Sequence, residues 1–264
     1  MKNLPFWKYQ GAGNDFILLD QRDHSLITLE DQKKIALLCD RHFGIGADGL
    51  MVIGQHPEAD FQMQYFNADG RPGSLCGNGS RCAVAFAAHL GMIKDSCRFL
   101  AYDGLHEARI PGPEWVEVHL NDLSSMEFLG KDCCLDTGSP HYVRFVEDIS
   151  AISVQEEGEK VRYADAFREK GINVNFAEIR NGTLHVATYE RGVEGETLAC
   201  GTGVTAAALA YVAALPHPVG NWNIPIETRG GSLSVRFVYD GKKFSNIWLC
   251  GPAKQVFSGT FPLE

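Results

Sequence analysis

No long apolar run exists in this sequence of 264 residues. The longest, Ala206 to Leu215, covers ten residues, about half of what a membrane-spanning helix needs, so no membrane segment is expected. There is no basic excess either. Lys and Arg number 24 against 33 Asp and Glu, a net charge of −9, the wrong sign for a surface that displaces counterions from nucleic acid. The opening MKNLPFWKYQGAGND has no apolar h-region, so no signal peptide is expected and a cytoplasmic setting follows. Without an oxidising compartment, the eight cysteines are not expected to form a disulfide framework. No Cys-x-x-Cys pair occurs, and five residues separate Cys76 from Cys82, which disfavours a zinc site.

What is present is an ordinary globular composition, 45% apolar and 22% charged, with a sizeable core available. The length corresponds to about 1.8 typical domains, hence one large or two small ones. Glycine is abundant, 28 residues, which implies many tight turns or close backbone approaches. Period-two alternation marks strands at Phe61 to Phe66, Trp115 to Leu120, Thr183 to Tyr189 and Ser232 to Tyr239. Asn181-Gly182 and Asp240-Gly241 sit where hairpin turns belong. Antiparallel sheet should dominate.

Helices are few. Thr28-Leu29-Glu30-Asp31 resembles a capping box with Asp in place of Glu and predicts a helix that stops near Gly44. A second helix is expected from just after Cys76 to about Leu90, with Gly91 as its stop. A third is expected from just after Cys200 to about Leu215, ended by Pro216. The latter two are Ala-rich and apolar nearly all round, the pattern of a buried helix.

These two helices look like copies. Cys76-Gly77-Asn78-Gly79 introduces one and Cys200-Gly201-Thr202-Gly203 the other, 124 residues apart. Asn14 and Ser139, each just before a strand, are 125 apart, and Asn67 and Arg191 are 124 apart. The spacing predicts an α/β (α+β) fold of two pseudo-symmetric domains from an internal duplication. Each would be a mixed, mostly antiparallel sheet wrapped around a central apolar helix. The expected domains are 1–118, carrying Cys76 and rejoined by 250–264, and 119–249, carrying Cys200.

A Cys-Gly-x-Gly turn opening a helix is a chemical arrangement. The first four N–H groups of a helix have no partner within it, and its dipole adds roughly half a positive charge there. A carboxylate can sit in that cup, and the same field favours a thiolate. One such turn suggests a nucleophile. Two, on repeated domains able to face one bound carboxylate, suggest an acid and a base for inverting a stereocentre α to it. Cys39, Cys82, Cys97 and Cys250 read as buried hydrophobes, and the vicinal Cys133-Cys134 is read the same way.

At this point the residues resemble a family. Lys8-Tyr9-Gln10-Gly11-Ala12-Gly13-Asn14-Asp15-Phe16, Phe66-Asn67-Ala68-Asp69-Gly70 with Cys76-Gly77-Asn78-Gly79-Ser80-Arg81-Cys82, and Tyr189-Glu190-Arg191-Gly192 with Ala199-Cys200-Gly201-Thr202-Gly203 are similar to diaminopimelate epimerases. The resemblance runs from residue 8 to Gly251-Pro252-Ala253. It implies cofactor-independent interconversion of LL- and meso-diaminopimelate on the route to lysine and peptidoglycan, by a cytoplasmic homodimer with no metal. It also implies Cys76 and Cys200 as the catalytic pair, with His141 and Glu190 tuning them. Substrate would be held by Asn14, Asn67, Gly77, Asn78, Asn175, Glu190, Arg191, Gly201 and Thr202. A guanidinium such as that of Arg191 matches a distal carboxylate, and Glu190 offers acceptors to a distal ammonium.

This chain departs from the family at two positions. Ser139 stands where many members have Asn, and Gly49 where many have Gln. The nearest competing reading is a proline or hydroxyproline racemase, disfavoured because proline has no second zwitterion for Glu190 and Arg191 to hold. A thiol redox protein that joins Cys76 to Cys200, and an amino-acid binding protein, are the readings from other classes. Turnover separates them.

Overall fold

Alternating apolar and polar residues make strands along most of the chain, and two Ala-rich segments make helices between them. The computed structural model describes residues 2–24, 27–73, 76–123, 125–214 and 218–263. The chain divides into two units, Met1–Val118 with Gly251–Glu264, and His119–Cys250.

In the first unit, β1 (Lys2–Gly11), β2 (Asn14–Asp20), β3 (Gly49–Gly54), β4 (Phe61–Asn67), β5 (Ser96–Ala101), β6 (Gly104–Gly112) and β7 (Trp115–Leu120) are joined by the last strand, β17 (Lys254–Leu263). Along the order β17-β1-β2-β3-β4-β5-β6-β7 every neighbouring pair is antiparallel except β2–β3 and β4–β5. Helix α1 (Gln32–Cys39) makes the first parallel crossover and α2 (Gly77–His89) the second.

The second unit repeats this plan. It contains β8 (Glu127–Leu129), β9 (Asp132–Asp136), β10 (Pro140–Phe145), β11 (Asn173–Arg180), β12 (Thr183–Glu190), β13 (Gly195–Thr197), β14 (Gly220–Thr228), β15 (Gly231–Tyr239) and β16 (Phe244–Pro252). Along β8-β9-β10-β11-β12-β14-β15-β16 the parallel pairs are again the third and fifth, β10–β11 and β12–β14. Their crossovers carry α3 (Val154–Arg162) and α4 (Gly201–Ala214), and β13 adds a short strand to β12. Each unit is thus a mixed, mostly antiparallel sheet around one apolar helix, as the sequence predicts.

The two central helices are buried as their composition requires. All residues from Gly201 to Ala210 of α4 are buried, and α2 buries Gly77 through Val84. Helix α2 ends with Gly91 in the left-handed region at φ 72°, its N–H bonded to Ala88 O at 3.0 Å. Leu215 and Pro216, the expected end of α4, lie outside the described residues. Among the described residues no helix is long and apolar enough to cross a membrane.

Three local readings change. The helix expected after Thr28 begins at Gln32, with Asp31 as its N-cap. Asp31 reaches back to the Thr28 N–H at 2.8 Å, so only the acidic half of the box is made, and Asp40 turns extended well before Gly44. Asn181-Gly182 has φ of 51° and 79°, the left-handed pair a two-residue hairpin needs. At Asp240-Gly241 only the glycine is left-handed, because Asp240 Oδ1 accepts from the Lys242 and Lys243 N–H groups and builds a longer loop. Helix α3 is not among the helices the sequence predicts, although Ser153 caps it by accepting from Glu156 N–H at 3.3 Å.

Leu209 lies fully buried at the middle of α4. Truncation in Leu209→Ala is expected to cost about 2–5 kcal/mol, read as a lower urea midpoint. An unchanged midpoint would mean that α4 is not the centre of its unit.

Candidate active site

The two Cys-Gly-x-Gly segments open α2 and α4, and each lies within one unit. Cys76 is the N-cap of α2, extended at φ −106° and ψ 113°, and its carbonyl accepts the first helical bond from Ser80 N–H at 2.7 Å. Cys200 accepts from Val204 N–H in the same way at 2.9 Å. Neither Gly-x-Gly needs a left-handed residue. Its second glycine is required for another reason. A Cβ on Gly79 would fall 1.8 Å from Met51 Cε, and one on Gly203 would fall 2.3 Å from Asn175 Oδ1. Glycine there lets the middle strand of the sheet press its side chain against the start of the helix.

In the first unit a polar network braces the helix start. Arg81, fully buried, donates to Gly77 O at 3.3 Å, to Asn78 Oδ1 at 2.7 Å and to Pro252 O at 3.2 Å. Asn78 donates to Asn14 Oδ1 at 2.5 Å, and Asn14 donates to Asp48 Oδ2 at 3.0 Å. Arg41 then clamps Asp48 and Asp15, and Lys8 pairs with Asp15 and donates to Gly46 O. Burial opposes ionisation of Asp15, but the bonds from Arg41 and Lys8 prevail and hold its carboxyl down at about 2. Asn67 is exposed at the end of β4.

In the second unit the helix start carries hydroxyl and amide groups. His141 Nε2 meets Thr202 Oγ1 at 2.9 Å, and Thr202 Oγ1 lies 3.5 Å from Cys200 Sγ. Thr137 donates to Thr202 O at 2.8 Å. His141 is fully buried; desolvation and then the charge of Arg191 push its pKa down to about 3, so it is neutral. Arg191 is exposed, with its backbone N–H on Asn173 Oδ1 at 2.9 Å and its guanidinium on Lys170 O at 3.0 Å. Glu190 is half-buried at the end of β12.

One expected substrate ligand is placed otherwise. Asn175 is fully buried, and its amide donates to His141 Nδ1 and Tyr142 O, both at 3.0 Å, while accepting from Thr188 Oγ1 at 2.9 Å. Both its hydrogens are spent inside the unit, so it supports His141 rather than reaching for a ligand. Asn173, two residues earlier on the same face, lies beside Arg191 and donates to Ser139 Oγ at 2.9 Å. The repeat also shifts by one. Met51 lies opposite Tyr65 and Asn175 opposite Thr188, so Asn67 aligns with Glu190 rather than Arg191.

Reading residues alone missed Arg81, Asp48, Arg41, Thr188 and Asn173. Arg81 had a signal: no other Asp, Glu, Lys or Arg occurs in α2. Cys39, Cys97 and Cys133 are buried, and desolvation pushes each thiol up to about 12, unsuited to acid–base work. Cys82 and Cys250 are buried too.

A family model described as diaminopimelate epimerase matches residues 6–120 and 133–256. The chain belongs to the diaminopimelate epimerase family. A diaminopimelate epimerase of Flavobacterium psychrophilum is 43% identical over 258 residues, 97% of this chain and all of that protein. One of Aquifex aeolicus is 38% identical over 280 residues, 99% of each chain. Among solved structures, a Bacillus anthracis protein of the PhzF phenazine-biosynthesis family superposes with a TM-score of 0.81 over the whole of both chains at 13% identity. An Agrobacterium vitis hydroxyproline epimerase gives 0.69 at 12% identity, over 98% of this chain and 92% of that one. These two share the fold.

Of the two departures from the diaminopimelate epimerase pattern, Gly49 is enforced by packing here. A Cβ on it would lie 2.6 Å from both Phe66 O and the Tyr65 ring. Ser139 keeps a polar role by accepting from Asn173.

The His141 environment fixes a pH dependence. Its folded pKa of about 3 lies below the ordinary value of 6.5, so its contribution to stability is complete above that value and is lost as pH falls towards 3. Urea midpoints of His141→Gln are expected to fall less steeply across this window than those of the parent protein. Equal slopes would contradict a buried neutral imidazole.

Proposed function

We propose that this protein interconverts LL- and meso-diaminopimelate by a two-thiol mechanism without a cofactor, a reaction on the route to lysine. The observation that carries the reading is the repeated helix start: a thiol at the head of a buried apolar helix in each unit. Family membership along nearly the whole chain supplies the substrate.

The chemistry balances without another reactant. A thiolate takes the α proton and becomes a thiol, and the electron pair of the broken Cα–H bond spreads into the α-carboxylate. The second thiol gives its proton to the opposite face and becomes a thiolate. Cys76 and Cys200 end with their roles exchanged, ready for the reverse reaction. The backbone N–H groups at Gly77-Asn78 and Gly201-Thr202 are the proposed cup for the carboxylate, where charge grows. Asn14, Asn67, Glu190 and Arg191 are the proposed contacts with substrate, the last two with its distal end. His141 is proposed to act by holding Thr202, whose Oγ1 its Nε2 meets at 2.9 Å. A cytoplasmic homodimer is part of the same proposal, and sedimentation tests the dimer as a mass of two chains.

Chiral chromatography of reduced protein with LL-diaminopimelate, no cofactor added, tests the reading. Meso product is expected, and Cys76→Ala and Cys200→Ala should each lose at least about a thousandfold in rate, the scale of a lost acid–base group. Turnover of proline instead would move the substrate. Near-parental rates in either variant would overturn the mechanism.

A further inference from the structure

Unit 2 contains a buried polar chain with a direction. Asn175 Nδ2 lies 3.0 Å from Tyr142 O, an atom that can only accept, and Asn175 Oδ1 receives the Thr188 hydroxyl. The amide orientation is therefore fixed, and the other Nδ2 hydrogen faces His141 Nδ1 at 3.0 Å. Nδ1 must accept, so the single proton of the neutral ring sits on Nε2. Nε2–H then donates to Thr202 Oγ1 at 2.9 Å. Because Nε2 carries a hydrogen and cannot accept, the Thr202 hydroxyl hydrogen is free to be given to Cys200 Sγ at 3.5 Å.

We propose that Asn175 is a positioning residue, which sets the imidazole tautomer of His141 and so makes Thr202 a hydrogen-bond donor to the Cys200 sulfur. A donor to sulfur favours thiolate over thiol. The charged group felt at His141 is Arg191, and the other members of the chain are neutral.

The corresponding positions of the first unit carry other residues. The positions that carry His141 and Asn175 carry Phe16 and Met51 in the first unit, and Thr188 is replaced by Tyr65. The counterpart of Thr202 is Asn78, whose amide turns to Asn14 and Arg81. Gly203 completes the device: any side chain there would displace Asn175 Oδ1 and press on Thr188 Oγ1, 3.1 Å away. The two thiols therefore sit in unlike settings although the backbones that hold them repeat.

The proposal rests on the reading of Cys200 as an acid–base thiol, but its test does not need turnover. The rate of Cys200 alkylation by iodoacetamide, followed by peptide mass spectrometry across pH, reports the thiol directly. Thr202→Val should slow alkylation near neutral pH about tenfold and move its profile to higher pH, about one unit being the effect of one lost donor. Thr202→Ser should restore the parental profile. Asn175→Leu should move it the same way as Thr202→Val. Nitrogen NMR of labelled, unmodified protein checks the direction itself, with protonated Nε2 and bare Nδ1 expected for His141. A proton on Nδ1, or a Thr202→Val profile like that of the parent, would overturn the proposal. If those results hold and diaminopimelate is not turned over, only the functional reading fails.

Discussion

A helix that starts inside a protein must have its first N–H groups answered by something, and this demand organises both units. The sheet curls around an apolar helix, so the helix start cannot be left to bulk water. A second-position glycine then lets the middle strand come against it, with Met51 touching Gly79 and Asn175 touching Gly203. The carbonyl of the cysteine before each helix accepts the first helical bond, and the residue stands at the positive end of the dipole. Packing and reactivity are thus two consequences of one construction.

The units solve the demand with different side chains. The first uses charge: buried Arg81 grips the first turn, and a line of amides and carboxylates leads to exposed Arg41 and buried Lys8. The second uses neutral groups, with Thr202, His141, Asn175 and Thr188 passing hydrogen bonds in one direction. Duplication preserved the strand order and the parallel crossovers while the chemistry behind each thiol diverged. An enzyme that must treat two stereoisomers as substrate and product has reason to keep its two thiols unequal.

Much of this was legible in the residues, for physical reasons. Strands exposed on one face advertise themselves by alternation, which is why β4, β7, β12 and β15 stand out. Helices α2 and α4 are visible because an Ala-rich run between a Cys-Gly-x-Gly and a stop has no other home. The short, exposed α3 is hidden by its polarity, although Ser153 and Glu156 hold the spacing of a cap. The resemblance points to Asn175 and passes over Asn173, and the residue pattern gives no way to correct this, since β11 is buried on both faces and the two share one of them. The bonds of Asn175 to His141, Tyr142 and Thr188 show that it is spent behind the site. Arg81 belongs to the Cys76–Cys82 motif, yet its bond to Pro252 O exists only in the fold that brings the chain's end back beside it.

The isotope content of early reaction mixtures in deuterated water tests the two-thiol account most directly. LL-diaminopimelate would be incubated with reduced protein, stopped before one-tenth conversion, and product and residual substrate analysed separately for deuterium at the α carbon. Separate donors on opposite faces predict one solvent deuterium in the meso product and protium retained in the recovered substrate. Deuterium entering recovered substrate as fast as product forms would mean that one group serves both faces, and the account of paired thiols would be contradicted.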